Sequence, residues 1–350
     1  MAANVRQSGT GGLERYSRQM LLPGWGKEGQ IRLSEKTVTI IGCGALGSHI
    51  ANHLARAGVG RLKLADRDFV EYSNLPRQAL YSEADAASGL PKAVAAARRL
   101  RQVNSQVEIE PHVVDVNADT VEELIAGADL VMDGADNFEV RYLVNEACVK
   151  HGIPWVYGGV LGTYGLTAAI VPGETPCLTC LLGPMPPPGS VPTCETAGVL
   201  GPAAATIAAL ESVEGLKVLL DRSDALLRSL VVVDVWTGDF ERIQTQRSQT
   251  RCPVCDDGRY ELLDAEYGSL TSVLCGRNAV QIRPRPVQAL NLAALARRLE
   301  GAGPVSANDY LLRFEAEGCE LTLFPDGRAI VKGTADPVRA RALYARYIGA

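Results

Sequence analysis

The residues best equipped for chemistry fall into two groups. The first is built on Gly42-Cys43-Gly44-Ala45-Leu46-Gly47, which follows the β-branched run Thr37–Ile41 and precedes an Ala-rich helical pattern. A strand, a glycine turn and a helix start in that order let backbone N–H groups approach a phosphate, and the helix N-terminus adds partial positive charge. Asp66 closes a second strand pattern 24 residues beyond Gly42, where a carboxylate can accept bonds from ribose hydroxyls. Arg77 and Lys92 add two cations, more than a dinucleotide's pyrophosphate needs and suited to a triphosphate. Asp136 follows the apolar run Asp129–Asp133 at what would be the carboxyl edge of a parallel sheet. There it could hold a magnesium ion bridging phosphate oxygens, or simply cap the helical stretch Asn137–His151.

The second group is the cysteines. Cys177-x-x-Cys180 and Cys252-x-x-Cys255 can supply four thiolates to one tetrahedral zinc, which leaves no open position and makes the role structural. The 71 residues between the pairs exceed a zinc-ribbon gap, so the ion would staple distant parts of the fold; a redox role is the competing reading. Cys194 stands alone after the Gly- and Pro-rich segment 183–192 and before a helical pattern. It is a candidate nucleophile for a reactive acyl group, or a buried small apolar residue. Cys43, Cys148, Cys275 and Cys319 read as packing residues.

The elements that must position these groups alternate strand and helix. Further strands are expected over 107–114, 154–160, 166–171 and 230–236, with helices over 93–103, 120–125, 137–151 and 202–220 and a short helix over 15–22. From about 262 onward the pattern changes: a strand near Ala279, an amphipathic helix over 290–299, a strand near Tyr310, a hairpin turning at Asp326-Gly327 and a last helix over 337–347. The expected fold class is therefore α/β, a Rossmann-like, mostly parallel sheet with a zinc staple, plus a small C-terminal α+β domain. The divisions are a floppy tail over 1–12, a nucleotide-binding domain over 13–260 and the small domain over 261–350.

The 350 residues carry 47% apolar and 21% charged side chains, an ordinary globular composition. A net charge of −5 argues against general affinity for nucleic acid or acidic membranes. The longest apolar stretch, 199–220, is interrupted by Glu211, Glu214 and Lys217, so it reads as a buried helix and not a membrane span. Nine cysteines without a leader-like N-terminus point to a reducing, cytoplasmic setting.

Taken in order, R-Y-S-R-Q-M, G-C-G-A-L-G, D-R-D-F-V-E-Y-S-N-L-P-R-Q, G-L-P-K, D-G-A-D-N, the two C-x-x-C pairs and T-C-E-T-A-G-V resemble the ThiF/MoeB/HesA family over roughly residues 13–257. The resemblance implies a homodimer that uses ATP and Mg2+ to adenylylate the C-terminal Gly-Gly carboxylate of a ubiquitin-like sulfur carrier (ThiS- or MoaD-like), with structural Zn2+. A cysteine desulfurase or sulfurtransferase would be a further partner. It also implies ATP contacts from Gly42, Gly44, Ala45, Gly47, Asp66, Asp68, Ser73, Asn74, Arg77, Gln78, Lys92, Asp136 and Asn137. Arg18 would reach into the partner's site, Asp136 would bind magnesium, and Cys194 would form a covalent link to the carrier in some members. Two other readings stay open, a nicotinamide-dependent oxidoreductase and a non-catalytic zinc-stapled scaffold.

Overall fold

The computed structural model describes residues 12–186, 197–245, 251–264, 271–274, 278–282 and 289–348. Cys194, Cys275, the tail through residue 11 and much of the segment 183–192 lie outside the described residues. The chain divides into two compact units, one running to Met185 and again over Val199–Ala265, the other chiefly Glu266–Ala350.

The first unit is built on strands β1 (Thr37–Ile41), β2 (Arg61–Ala65), β3 (Glu108–His112), β4 (Leu130–Asp133), β5 (Trp155–Leu161), β6 (Tyr164–Ile170), β7 (Ser229–Asp234) and β8 (Asp239–Gln244). Their spatial order is β3-β2-β1-β4-β5-β6-β7-β8. Pairing is parallel from β3 to β5 and antiparallel from β5 to β8, so the sheet is Rossmann-like at one end and a meander at the other. Winding runs outward from β1 in one direction to β2 and β3, then returns to β4 on its other side. That reversal leaves a crevice beyond the carboxyl ends of β1 and β4, where Ile41 is in register with Asp133.

Both faces of the parallel part of this sheet are covered, which explains the apolar β1 and β4 patterns. One face packs the helices Ala45–Ala57, Lys92–Val103 and Gly201–Leu219, through Ile50, Leu54, Leu100 and Ile207. The other packs Val121–Ile125 and Phe138–His151, through Leu124, Leu143 and Ala147.

Two local expectations change. The stretch expected as a short helix over 15–22 is instead a pair of 3-10 turns, Glu14–Tyr16 and Gln19–Leu21. Tertiary anchors decide this: Gln19 donates to the Ala57 carbonyl at 2.7 Å, and the Tyr16 ring occupies the space where Gly58 would carry a Cβ. The second change is β8, an edge strand that the sequence pattern does not announce. All six of its residues are exposed, so no burial alternation marks it.

The long helix Gly201–Leu219 buries Glu211 completely. Neither carboxyl oxygen has a hydrogen-bond partner among the described residues, and a Cβ on Gly158 would fall 2.0 Å from Glu211 Oε1. Burial pushes this carboxyl well above the ordinary glutamate value; nearby Asp133 adds to the shift and Arg141 opposes it. A folded-state value above the unfolded one makes the proton stabilising. Its contribution is complete below about 4.5 and drains as pH rises toward the folded value. Glu211→Gln is therefore expected to gain on the wild type by about 1.4 kcal/mol per pH unit across that window. Denaturant unfolding at pH 5, 6, 7 and 8 checks this; a stability difference independent of pH would contradict it.

The second unit is a six-stranded antiparallel sheet of β9 (Thr271–Leu274), β10 (Ala279–Ile282), β11 (Val305–Ala307), β12 (Leu312–Ala316), β13 (Cys319–Leu323) and β14 (Ala329–Lys332). The hairpin expected at Asp326-Gly327 is β13–β14, and Gly327 takes a φ of +83° that favours glycine. Helices Leu292–Leu299 and Pro337–Tyr347 supply Leu295, Leu299, Leu343 and Tyr344 to its core.

Candidate functional site: a nucleotide crevice and a thiolate cluster

The glycine turn after β1 is as tight as its sequence demands. Gly42 has φ +88°, and a Cβ there would lie 2.4 Å from the Gly134 carbonyl oxygen. A Cβ on Gly47 would lie 1.9 Å from the Gly42 carbonyl oxygen, so the helix can start this close to the turn only with glycine. Gly44 is the N-cap of Ala45–Ala57, and no side chain caps that helix. Its leading N–H groups therefore face the crevice without a protein acceptor of that kind, the arrangement an anion satisfies.

Around the turn the structure gathers most of the residues singled out from the sequence. Asp66 Oδ2 accepts from Cys43 N–H at 2.7 Å, and Oδ1 accepts from Asp68 N–H at 2.7 Å. Burial pushes the Asp66 pKa up, while Lys92 and these two N–H bonds pull it down. Lys92 is the first residue of its helix, and its ammonium donates to Asp68 Oδ2 at 3.1 Å although the side chain is only 6% exposed. Asp68 is thus a counter-ion of Lys92 more than a free acceptor. Arg67 extends the network to buried Asp115 at 2.8 Å.

The polar loop from Glu71 to Gln78 crosses the start of the helix Ala45–Ala57, where Ala79 N–H donates to Ser48 Oγ at 3.2 Å. Ser73 and Asn74 shape this loop: Asn74 Oδ1 accepts from Glu71 N–H at 3.0 Å, and the Ser73 carbonyl accepts from Arg77 at 2.6 Å. Gln78 is buried with Oε1 lacking a hydrogen-bond partner among the described residues, and its Nε2 would lie 3.9 Å from a Cβ on Gly44. A buried amide with unused capacity beside the glycine turn fits a bound polar group. An open cavity of about 240 Å³ adjoins this loop, lined by His49, Arg77, Gln78, Gly201 and Pro202 among others; none of Asp66, Lys92 or Asp136 lines it.

On the other side of the crevice, Asp136 and Asn137 follow β4. The cap of Phe138–His151 is Asn137, whose Oδ1 accepts from Val140 N–H at 2.9 Å, and not Asp136. Asp136 sits one residue ahead of that cap and accepts from Asn137 Nδ2 at 3.1 Å. The turn that carries it is set by Asp133 and Arg141. Asp133 accepts from Ala135 N–H at 2.9 Å and from Arg141 Nε at 3.1 Å, and Arg141 Nη2 donates to the Ala135 carbonyl at 2.8 Å.

Arg18 is exposed and stands apart. Its neighbours Tyr16 and Gln19 pack on Gly58 and Ala57, at the C-terminal end of the helix whose N-terminal end meets the glycine turn. That helix has 13 residues and so spans about 20 Å, well beyond an arginine's reach.

Sequence alone does not single out Arg67, Tyr81, Asp115 or Arg141. A signal existed for Arg141, a cation on a helix turn otherwise given to apolar residues. For Tyr81 there was none, since an aromatic between a loop and a helix reads as core.

The four cysteines come together as one cluster, with all four Sγ atoms within 4.8 Å of one another. Cys177 and Cys180 are 3.8 Å apart, Cys177 and Cys252 3.7 Å, and Cys180 and Cys255 3.6 Å. A tetrahedron with zinc–sulfur arms of 2.3 Å has edges of about 3.8 Å, so the donor set fits zinc. Such spacings are far longer than a disulfide's roughly 2.0 Å. Cys43 and Cys148, by contrast, are buried singly, and burial raises both thiols well above the ordinary value, as packing residues require.

No helix among the described residues is long and apolar enough to cross a membrane. A profile of the ThiF family matches residues 16–254. The sulfur carrier protein ThiS adenylyltransferase of Bacillus subtilis is 45% identical over 338 residues, 96% of this chain and 99% of its own length. The SAMP-activating enzyme E1 of Haloferax volcanii is 40% identical over 256 residues, 73% of this chain and 93% of its own. Among solved structures, E. coli MccB in complex with MccA-N7isoASN superposes with a TM-score of 0.61 at 26% identity, over 69% of this chain and 74% of that one.

Proposed function

The chain belongs to the ThiF family and is an adenylyltransferase, and from that premise we propose that it adenylylates the C-terminal Gly-Gly carboxylate of a ubiquitin-like sulfur carrier. The observation that carries this reading is the meeting of the glycine turn, Asp66, Lys92 and the Asp133–Asn137 turn at one sheet edge. The oxidoreductase and bare-scaffold readings give way to the relatives' shared activity.

In the proposed reaction a carrier carboxylate oxygen attacks the α-phosphorus of ATP in line. A carboxyl–phosphate bond forms as the bond to the β-phosphate breaks, and pyrophosphate leaves with the electron pair. The attacking carboxylate is already ionised near pH 7, so no protein base is required. The chain's work is positioning and charge neutralisation. Backbone N–H groups of the turn at Gly44, Ala45 and Gly47 cradle phosphate oxygens, with Ser73, Asn74 and Gln78 along the facing loop; Gly42 shapes the turn, its own N–H donating to the Ala65 carbonyl at 2.7 Å. Asp66 accepts from the ribose, while Asp68 holds Lys92 in place for the phosphates and Arg77 swings from the Ser73 carbonyl toward them. Asp136, backed by Asn137, would hold Mg2+, which when bound neutralises charge on the phosphate oxygens.

Arg18 acts in this reading from a second copy of the chain. Support comes from its station at the far end of the helix Ala45–Ala57, a helix length of about 20 Å from the glycine turn of its own copy. The pathway served (thiamine, molybdopterin, thiolated tRNA or cysteine) is decided by the carrier. Sulfur is then supplied by a desulfurase or sulfurtransferase partner, and Cys194 is the group on this chain suited to receive the activated acyl carbon.

The test is exchange of labelled pyrophosphate into ATP with a purified Gly-Gly-ended carrier. Exchange should require the carrier and vanish when its last glycine is removed. Asp136→Asn should lose exchange by about 10²-fold or more while retaining carrier binding. Exchange that ignores the carrier's terminus would overturn the assignment of substrate.

A further inference from the structure

Tyr81 holds a position that none of the foregoing chemistry uses. Its hydroxyl donates to the Cys43 carbonyl at 2.7 Å and lies 3.3 Å from the Lys92 carbonyl. The ring packs against the core on the side of the helix Ala45–Ala57. Burial, reinforced by the neighbouring Cys43 and Asp66, holds the phenol well above its usual range, so it stays protonated and remains a donor.

The consequence follows from peptide geometry. In a planar trans peptide the C=O and the following N–H point in opposite directions. With the Cys43 carbonyl turned onto Tyr81, the Gly44 N–H is directed away from Tyr81. The preceding peptide is pinned from its other side, since Cys43 N–H donates to Asp66 Oδ2 at 2.7 Å. Two side chains thus fix the two peptides of the glycine turn, one through a donor and one through an acceptor. The second acceptor of Tyr81 belongs to Lys92, whose ammonium is a buried cation of the site. One hydroxyl therefore ties the turn that offers N–H groups to the helix that offers charge.

We propose that Tyr81 is a positioning residue for the triphosphate: its hydroxyl orients the Cys43–Gly44 peptide so that the Gly44 N–H faces the phosphates, and holds that turn in register with Lys92. The proposal rests on the reading that ATP lies on the glycine turn. It makes Tyr81 a contributor to phosphate recognition only, with no share in binding the nucleoside.

Tyr81→Phe in the full-length enzyme removes one oxygen and keeps the ring. ATP and adenosine affinities are measured by calorimetry or competition, and the KM for ATP by pyrophosphate exchange. A lost hydrogen bond of ordinary net worth predicts that ATP affinity falls and KM rises about fivefold. Adenosine affinity should be unchanged, and the exchange rate at saturating ATP should stay within about twofold, because Lys92 and Arg77 are still present. An unchanged ATP affinity overturns the proposal. So does a parallel loss for ATP and adenosine, which would make Tyr81 a general support of the pocket. A wild-type enzyme that fails to bind ATP at all removes the premise, and that result is visible before the variant is made.

Discussion

Arg18→Ala and Lys92→Ala enzymes, each nearly inactive alone, are expected to regain about a quarter of the wild-type rate when mixed and allowed to exchange subunits. Each variant by itself should lose about 10²–10³-fold in carrier-dependent pyrophosphate exchange, the usual cost of removing a charge aimed at a phosphoryl transition state. In a mixed dimer, the chain with intact Lys92 receives Arg18 from the other chain, so one of two sites is whole. Random pairing makes half of the dimers mixed, hence the quarter. The geometry behind the expectation is the anchoring of Tyr16 and Gln19 on Gly58 and Ala57, at the wrong end of the helix for Arg18 to serve its own glycine turn. Mixed dimers that form by mass spectrometry of differently tagged chains, yet show no recovered rate, would place Arg18 outside the reaction or in its own copy's site.

Cys252→Ser should cost more than any site residue, and in a different quantity. Structural zinc sites contribute apparent binding free energies of about 10–16 kcal/mol, comparable to or larger than a domain's whole stability of about 5–15 kcal/mol. The cluster joins the helix Leu178–Leu182 to the segment around Pro253, regions that share the core of the sheet's second face through Leu178, Cys252 and Val254. The wild type is expected to carry one zinc per chain by elemental analysis. Cys252→Ser should lose it, with a fall in Tm of more than 10 °C or recovery only as aggregate. A strong chelator should reproduce the effect and a reductant should not. Equal melting temperatures for zinc-loaded and zinc-stripped protein would leave the cluster without a stabilising role.

How much of this was legible beforehand depends on where each signal is stored. The glycine turn and the cysteine pairs announce themselves because backbone conformation and metal valence restrict residue type at fixed spacing. The β1 and β4 runs show because burial on both faces leaves a continuous apolar stretch. The strand β8 was invisible for the opposite reason: exposed along its whole length, it keeps no alternation, and its edge position comes only from pairing with β7. The network Asp115–Arg67–Asp68–Lys92 joins residues up to 48 positions apart, and sequence offers no distance between them. Asp68 illustrates the limit well. The family resemblance implies a ligand contact for it, while its observed partner is the lysine that the ligand would need. Asn137 rather than Asp136 as the helix cap was likewise undecidable, since both residues cap well and only the backbone φ and ψ choose between them.

The thiolate cluster has a topological effect as well. With an ion in place, everything between Cys180 and Cys252 becomes a closed ring, and that ring includes the helix Gly201–Leu219 and the strands β7 and β8. A protease that cuts the ring once opens it without releasing either product, because the two halves remain clasped at the sulfurs. Such a nicked enzyme should run as one species on a sizing column and as two on a denaturing gel.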